Sequence, residues 1–259
     1  MDRNKNIISD MISSSLKLSK DLRSFAEYQK NHMRFKDNHE KEGFSTTFFV
    51  KFLQCFDSIL LLLQKDLIIP AEQLLRCLIE LTCIVILIEK DEEFLNKYRK
   101  HHEFSHEKQR LLMLKKIDLL ESPRCNEKIK KIEKTIKENE IENITSTYLL
   151  KKSGLLKEYG SSYFTYSESI HSNIDDIARY INIDSNGLAI GVFSKPKIDN
   201  FNIVGIQFKS NDLLIKILES ISNMFGLQIS SEIEQFNKRL YKIDNKLKNS
   251  PEFQCLQNE

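Results

Sequence analysis

Residues 44–90 read FSTTFFVKFLQCFDSILLLLQKDLIIPAEQLLRCLIELTCIVILIEK. This is two helices' worth of apolar sequence, parted at Lys65-Asp66. Phe49, Phe52, Leu53, Phe56, Leu60 and Leu63 recur at helical spacing, with Ser45 placed to cap a helix that begins there. Pro70 opens a second helix at an early position, where its missing N–H is no loss, and the pattern runs to Glu89. Leu74, Leu78, Leu81, Val85 and Ile88 form one stripe, which Leu75, Ile79 and Ile86 widen. The remaining stripe is Gln73, Arg76, Glu80, Cys83 and Leu87. A helix that is apolar on most faces is buried on most faces. Arg76 and Glu80 are therefore expected to point into protein or into a cleft.

Working outward, the flanks are helical too, and the expected fold is an all-α multi-helix bundle. Residues 1–43 form an N-terminal segment: a charged helix over 5–35 with a thin stripe of Leu16, Leu18, Leu22, Phe25 and Tyr28, then the polar connection 36–43. Residues 44–182 form the helical core domain. It includes a charged helical hairpin over 91–140, broken at Ser122-Pro123, whose second arm has Ile129, Ile132 and Ile136 as its seam. A weaker stretch ends at Gly160, and an amphipathic helix follows over 161–182, with Tyr163, Ile170, Ile174, Ile177 and Ile181 facing inward. Residues 183–259 belong to the same domain. Gly187, Gly191, Pro196 and Gly205 cluster there, and LAIGVF and FNIVGIQF read as two short strands or a flap, an extended or β-hairpin insertion near 186–208. Helix returns over 211–248, with a frayed tail after Pro251.

The chain has 259 residues, with only seven Gly and four Pro to interrupt its helices. Its 39 basic and 37 acidic side chains leave a net charge of +2, which demands no polyanionic partner and leaves room for a local basic patch. The five cysteines, Cys55, Cys77, Cys83, Cys125 and Cys255, form no CxxC, and free thiols in a reducing compartment are expected. The N-terminus lacks an apolar signal core, and the unbroken apolar runs 59–63 and 83–88 fall short of the ~20 residues that span a bilayer. The expectation is a cytoplasmic protein without a membrane partner.

Four constellations can carry chemistry. Arg76 and Glu80 stand at i and i+4 on one helix face. They read either as a bracing ion pair or as an arginine held by its glutamate for an anion, since a planar guanidinium offers paired donors to phosphate. Ser167 and His171 repeat that spacing on a later helix, where the imidazole is a core-edge residue or a general acid/base. No nucleophile elbow surrounds Ser167, which argues against a serine protease. His102-Glu103-Phe104-Ser105-His106 satisfies H-E-x-x-H, in which two imidazoles share a zinc and the glutamate polarises water. The charged flanks YRKH and EKQR read instead as a solvated face, and Glu121 is the candidate third ligand.

Arg99 and His106 are separated by six residues, and this spacing resembles the R-x(4–6)-H motif of the HEPN superfamily of helical nucleotide-binding domains, many of them metal-independent ribonucleases. Lys100 departs from the polar residue usual after the arginine. The runs PAEQLLRCLIELTCIVILIEKDEEFL and SYFTYSESIHSNIDDIARY, within about residues 45–182, resemble a bacterial domain-of-unknown-function family with an R-x-x-x-E helix and a later S-x-x-x-H helix. Those proteins look related to HEPN-type and abortive-infection proteins. The resemblance implies an RNA-directed or defence role, a homodimer or a defence-system partner protein, no cofactor, and a site of Arg76, Glu80, Ser167 and His171, with Arg99 and His106 as a second set. A non-catalytic interaction module, and a zinc hydrolase using His102, Glu103 and His106, are the alternatives.

Overall fold

The computed structural model describes residues 2–35, 40–116, 123–138, 141–170, 178–185, 187–193, 196 and 200–250, with the side chains at 2–7, 114–116, 123–125 and 168–170 outside that description. The elements in order are α1 (Asp2–Lys30), α2 (Glu40–Gln64), α3 (Ile68–Lys90), α4 (Phe94–Lys116), α5 (Pro123–Glu138), α6 (Ser146–Ser153), α7 (Leu156–Ile170), β1 (Ile181–Ile183), β2 (Ala189–Val192), α8 (Asn200–Phe225) and α9 (Ser230–Lys248). The protein is an all-α bundle carrying one small antiparallel hairpin, in which Ile181 pairs with Val192.

Helix α3 is the hub. It packs on α2, α8, α7 and α6, and touches α4. Its unbroken run Leu81 to Ile88 is buried, as a helix surrounded on most sides requires. Helix α8 lies against α3, α1 and α2, and α9 closes the far side against α1 and α8. By length and composition α2 could cross a membrane, but the core helix of a bundle has the same composition. Its Phe49, Phe52, Phe56 and Ile59 are closed off from solvent by the other helices.

Helices α4 and α5 pack on one another as the charged hairpin expected of 91–140. Leu111 and Ile129 are buried between them with Ile132 packed alongside, a seam separate from the main core.

Several boundaries differ from the sequence reading. Helix α2 starts at Glu40, so residues 40–43 are helical and Ser45 is no cap. Ser45 is buried within the helix and its hydroxyl reaches Met224 Sδ of α8 at 3.4 Å. Gly160 lies inside α7, because the chain turns earlier, at Gly154. Gly154 ends α6 at φ 86°, a left-handed conformation that favours glycine. Helix α7 is described as far as Ile170, Ile174 and Ile177 lie outside the described residues, and Ile181 and Asn182 belong to β1. Tyr28 on α1 faces solvent; Met11, Leu18, Leu22 and Ala26 form the inner stripe.

The largest correction is at 201–208. The hairpin exists but is shifted to 181–192, and FNIVGIQF is the first two turns of α8. Its β-branched residues favour a strand locally. Burial of Ile203, Val204, Ile206, Gln207 and Ser210 against the bundle favours a helix, and the packing outweighs the propensity. Strand β2 by contrast leaves Ile190 and Val192 open to water.

Leu78 is fully buried at the centre of α3, whereas Leu61 on α2 is 62% exposed. Leu78→Ala should lose about 2–5 kcal/mol of unfolding free energy in urea titrations. Leu61→Ala should stay within about 0.5 kcal/mol of wild type. Equal losses would contradict the assignment of α3 as the hub.

Candidate functional site

Glu72, Arg76 and Glu80 are spaced four residues apart on α3 and so line one face of it. Helix α7 runs along that face and presents Tyr159, Tyr163 and Tyr166, all buried. A buried phenol needs a partner for its hydroxyl, and each of these finds a charged one. Tyr166 Oη stands 3.1 Å from Lys209 Nζ of α8. Tyr159 donates to Asp212 of α8. Tyr163 meets the α3 pair.

The geometry at Tyr163 is compact. Its hydroxyl donates to Glu80 Oε1 at 2.5 Å, which leaves the phenol oxygen to accept from Arg76 Nε at 3.0 Å. Arg76 Nη2 donates to the same Glu80 oxygen at 3.1 Å. Ser146 Oγ also donates to Glu80 Oε1 at 3.1 Å and lies 2.6 Å from the phenol oxygen. Ser146 is placed by the start of α6, where the Thr145 hydroxyl accepts from the Tyr148 N–H. The guanidinium carbon lies 5.0 Å from the centroid of the Tyr163 ring, so the cation also rests on the ring face.

The pair is neither sealed nor free. Arg76 and Glu80 side chains keep 28% and 30% of their exposure. Burial is the largest influence on the Arg76 guanidinium and works against its charge; Glu80 and the bond to Tyr163 outweigh it, so its pKa is raised. Burial, then the bond to Glu80, raises the Tyr163 phenol. Arg76 Nη1 makes no hydrogen bond among the described residues, so one edge of the cation is open to an acceptor. Neighbouring thiols are poor nucleophiles: burial raises Cys77, and pushes Cys83 up to about 12.

The second sequence pair is described only in part. Ser167 donates to the Tyr163 carbonyl at 2.7 Å, an ordinary bond within its own helix. His171 lies outside the described residues. Arg99, of the second set, is taken up by Glu40 of α2 at 2.9 Å and rests near the Phe44 ring. His102 and His106 stack with ring centroids 5.2 Å apart. Among the described residues no group of three His, Cys, Asp or Glu stands ready to hold a metal, and Glu121 lies outside them.

The residues missed in the sequence are Glu72, Ser146, Tyr163, Arg179 and Lys209. Arg179 reaches Glu72 Oε2 at 2.8 Å and Oε1 at 3.4 Å, tying the segment before β1 to α3. Lys209 Nζ donates to Ser162 Oγ at 2.7 Å, and burial lowers its pKa. The repeating tyrosines of α7 were the available signal: three phenols on one helical face demand polar partners.

His101 joins the hairpin to the bundle. Its Nδ1 accepts the Ile144 N–H at 3.2 Å, just before α6. Burial, then the charge of His106, lowers its pKa from the ordinary 6.5. Because the folded value is depressed, this contribution is complete above pH 6.5 and is lost as pH falls through the folded value.

Two predictions follow from this geometry. Tyr163→Phe strips one bond from Arg76 and one from Glu80 and should cost about 1.5–3 kcal/mol, the range for hydrogen bonds to charged groups, in chemical denaturation. The wild-type melting temperature should fall between pH 7 and pH 5, and His101→Gln, whose amide oxygen can still accept the Ile144 N–H, should show a shallower fall. An unchanged slope would remove His101 as its source.

Among known proteins, the model of a family of unknown function (DUF5677) matches residues 42–188, more than half of the chain. The match takes in α2 to α7 and the first strand, and with them Arg76, Glu80, Ser146 and Tyr163. No curated protein and no solved structure matches.

Proposed function

We propose that the chain, which belongs to this family of unknown function, is an RNA-directed hydrolase whose Arg76 centre receives a phosphate. The observation that carries the reading is the oriented, half-open guanidinium. Glu80 and Tyr163 hold two of its nitrogens while the Nη1 edge stays without a hydrogen bond among the described residues. Such a cation needs no reorganisation when charge develops on a phosphorane, which is the most effective form of electrostatic stabilisation.

In this reading His171, four residues beyond Ser167 in the sequence, takes the proton of a ribose 2′-hydroxyl as that oxygen attacks phosphorus. The P–O5′ bond breaks, the leaving oxygen takes a proton from water, and a 2′,3′-cyclic phosphate remains. Arg76 neutralises the equatorial oxygens, and Glu80 and Tyr163 position Arg76. The reading includes a homodimer. The exposed Ile190 and Val192 of the hairpin support it as apolar surface open to a second copy.

The second reading is a non-catalytic helical module in which the cluster is a brace. It is favoured by the convergence of three donors on one oxygen of Glu80, the pattern of a satisfied structural network. One experiment separates the two. Purified wild type, Arg76→Lys and His171→Ala are incubated with single-stranded RNA in EDTA, alongside thermal melts. The hydrolase reading expects cleavage by wild type and a loss of roughly 100-fold or more in both variants, at melting temperatures near wild type. Intact RNA with every protein, and a lowered melting temperature in Arg76→Lys, gives the chain to the second reading.

A further inference from the structure

A groove of about 450 Å³ lies between α1 and α9, outside the family-matched span. Lys17, Arg239, Lys242 and Lys246 line it, with Asp21 as the single acidic lining residue among those described. Asp21 is committed to Arg239 at 2.7 Å. Among the described residues, no carboxylate is in ion-pair contact with Lys17, Lys242 or Lys246. The groove therefore gathers an excess of three positive charges on a chain whose total is +2. On the same helix α9, Lys238 pairs with Glu234 and Lys248 with Asp244. Like charges left together without counter-charge repel one another, and an anion seated among them relieves that repulsion.

The spacing says which kind of anion. Arg239, Lys242 and Lys246 follow one face of α9 over seven residues, about 10 Å of helix at ~1.5 Å per residue. A row of that length can meet more than one phosphate of a single strand, whose backbone a positively charged groove tracks. Lys17 faces them from α1. The floor between the helices is Leu18 and Ile243, aliphatic and without an aromatic ring on which a base could stack. We infer that this groove holds a run of consecutive phosphates, as the backbone of a single RNA strand, without reading its bases. The choice of RNA as the polyanion rests on the hydrolase reading; the charge of the groove stands without it. Phosphate contacts of this kind position a strand and carry no sequence information.

The test uses the full chain and a fluorescently labelled 2′-O-methyl RNA strand, which lacks the attacking hydroxyl and so cannot be cleaved by the scheme above. Anisotropy titrations over a range of salt should give a log–log slope near −2, since three phosphate contacts by Lys17, Lys242 and Lys246 contribute about −0.7 each on a single strand. Lys242→Ala/Lys246→Ala should make the slope shallower by about 1.4, with its melting temperature unchanged because both side chains are solvent-facing. Strands of different sequence should bind alike. Displacement by inorganic triphosphate at concentrations matching the strand's would point to a small polyphosphate as the source of the same chemistry; resistance to it points to the strand. The inference is overturned if wild type does not bind the strand, if the double variant keeps the wild-type slope, or if vesicles containing phosphatidylserine bind while RNA does not. A strand that binds here and is never cut by wild type in its ribose form removes the hydrolase reading and leaves the groove.

Discussion

Glu80 Oε1 takes hydrogen bonds from a guanidinium, a phenol and a serine hydroxyl that belong to three helices. A carboxylate this enclosed cannot lose its donors cheaply. Its position thus fixes the rotation of α7 about its own axis, through Tyr163, and the start of α6, through Ser146. The same demand is repeated along α7, where Tyr159 answers to Asp212 and Tyr166 to Lys209. Apolar packing would tolerate several rotations of a helix carrying Tyr, Phe and Ile. The three phenols accept only the one that brings each hydroxyl to a charge.

Stability and register therefore come from different sources. The aliphatic run of α3 and its partners on α2 and α8 supplies the bulk of the apolar burial, which has no direction. The polar seam adds little net free energy, because each of its bonds replaces one to water, but it discriminates between arrangements. Exposed pairs such as Arg110–Glu107 and Lys134–Glu138 do neither to any extent, being open to solvent and screened by salt.

The molecule also carries two electrical centres of opposite design. At Arg76 a cation is balanced, oriented and partly exposed. Between α1 and α9 several cations are left without balance along a groove. A balanced cation suits a momentary charge in a transition state, whereas an unbalanced row suits a standing polyanion. The two centres lie on different helices, Arg76 on α3 and the row of cations on α1 and α9.

The apolar periodicity of 44–90 was enough to establish a helical bundle with α3 at its centre, and to place Arg76 and Glu80 on one face, because hydrophobic spacing maps onto helix faces by geometry alone. The seam Ile129–Ile132 of the charged hairpin was legible for the same reason. Residues 201–208 were not: β-branched residues beside a glycine suit a strand locally, and only burial against the rest of the bundle makes them helix. Nor could spacing show that Tyr163, Ser146 and Glu80 meet, since they are brought together across 66 and 83 residues of chain. The basic groove is likewise invisible in one dimension, where Lys17 and Lys246 stand at opposite ends of the sequence. A sequence records which face of each helix is apolar; which charges end up without a partner depends on which faces finally adjoin, and that is settled only when the helices pack.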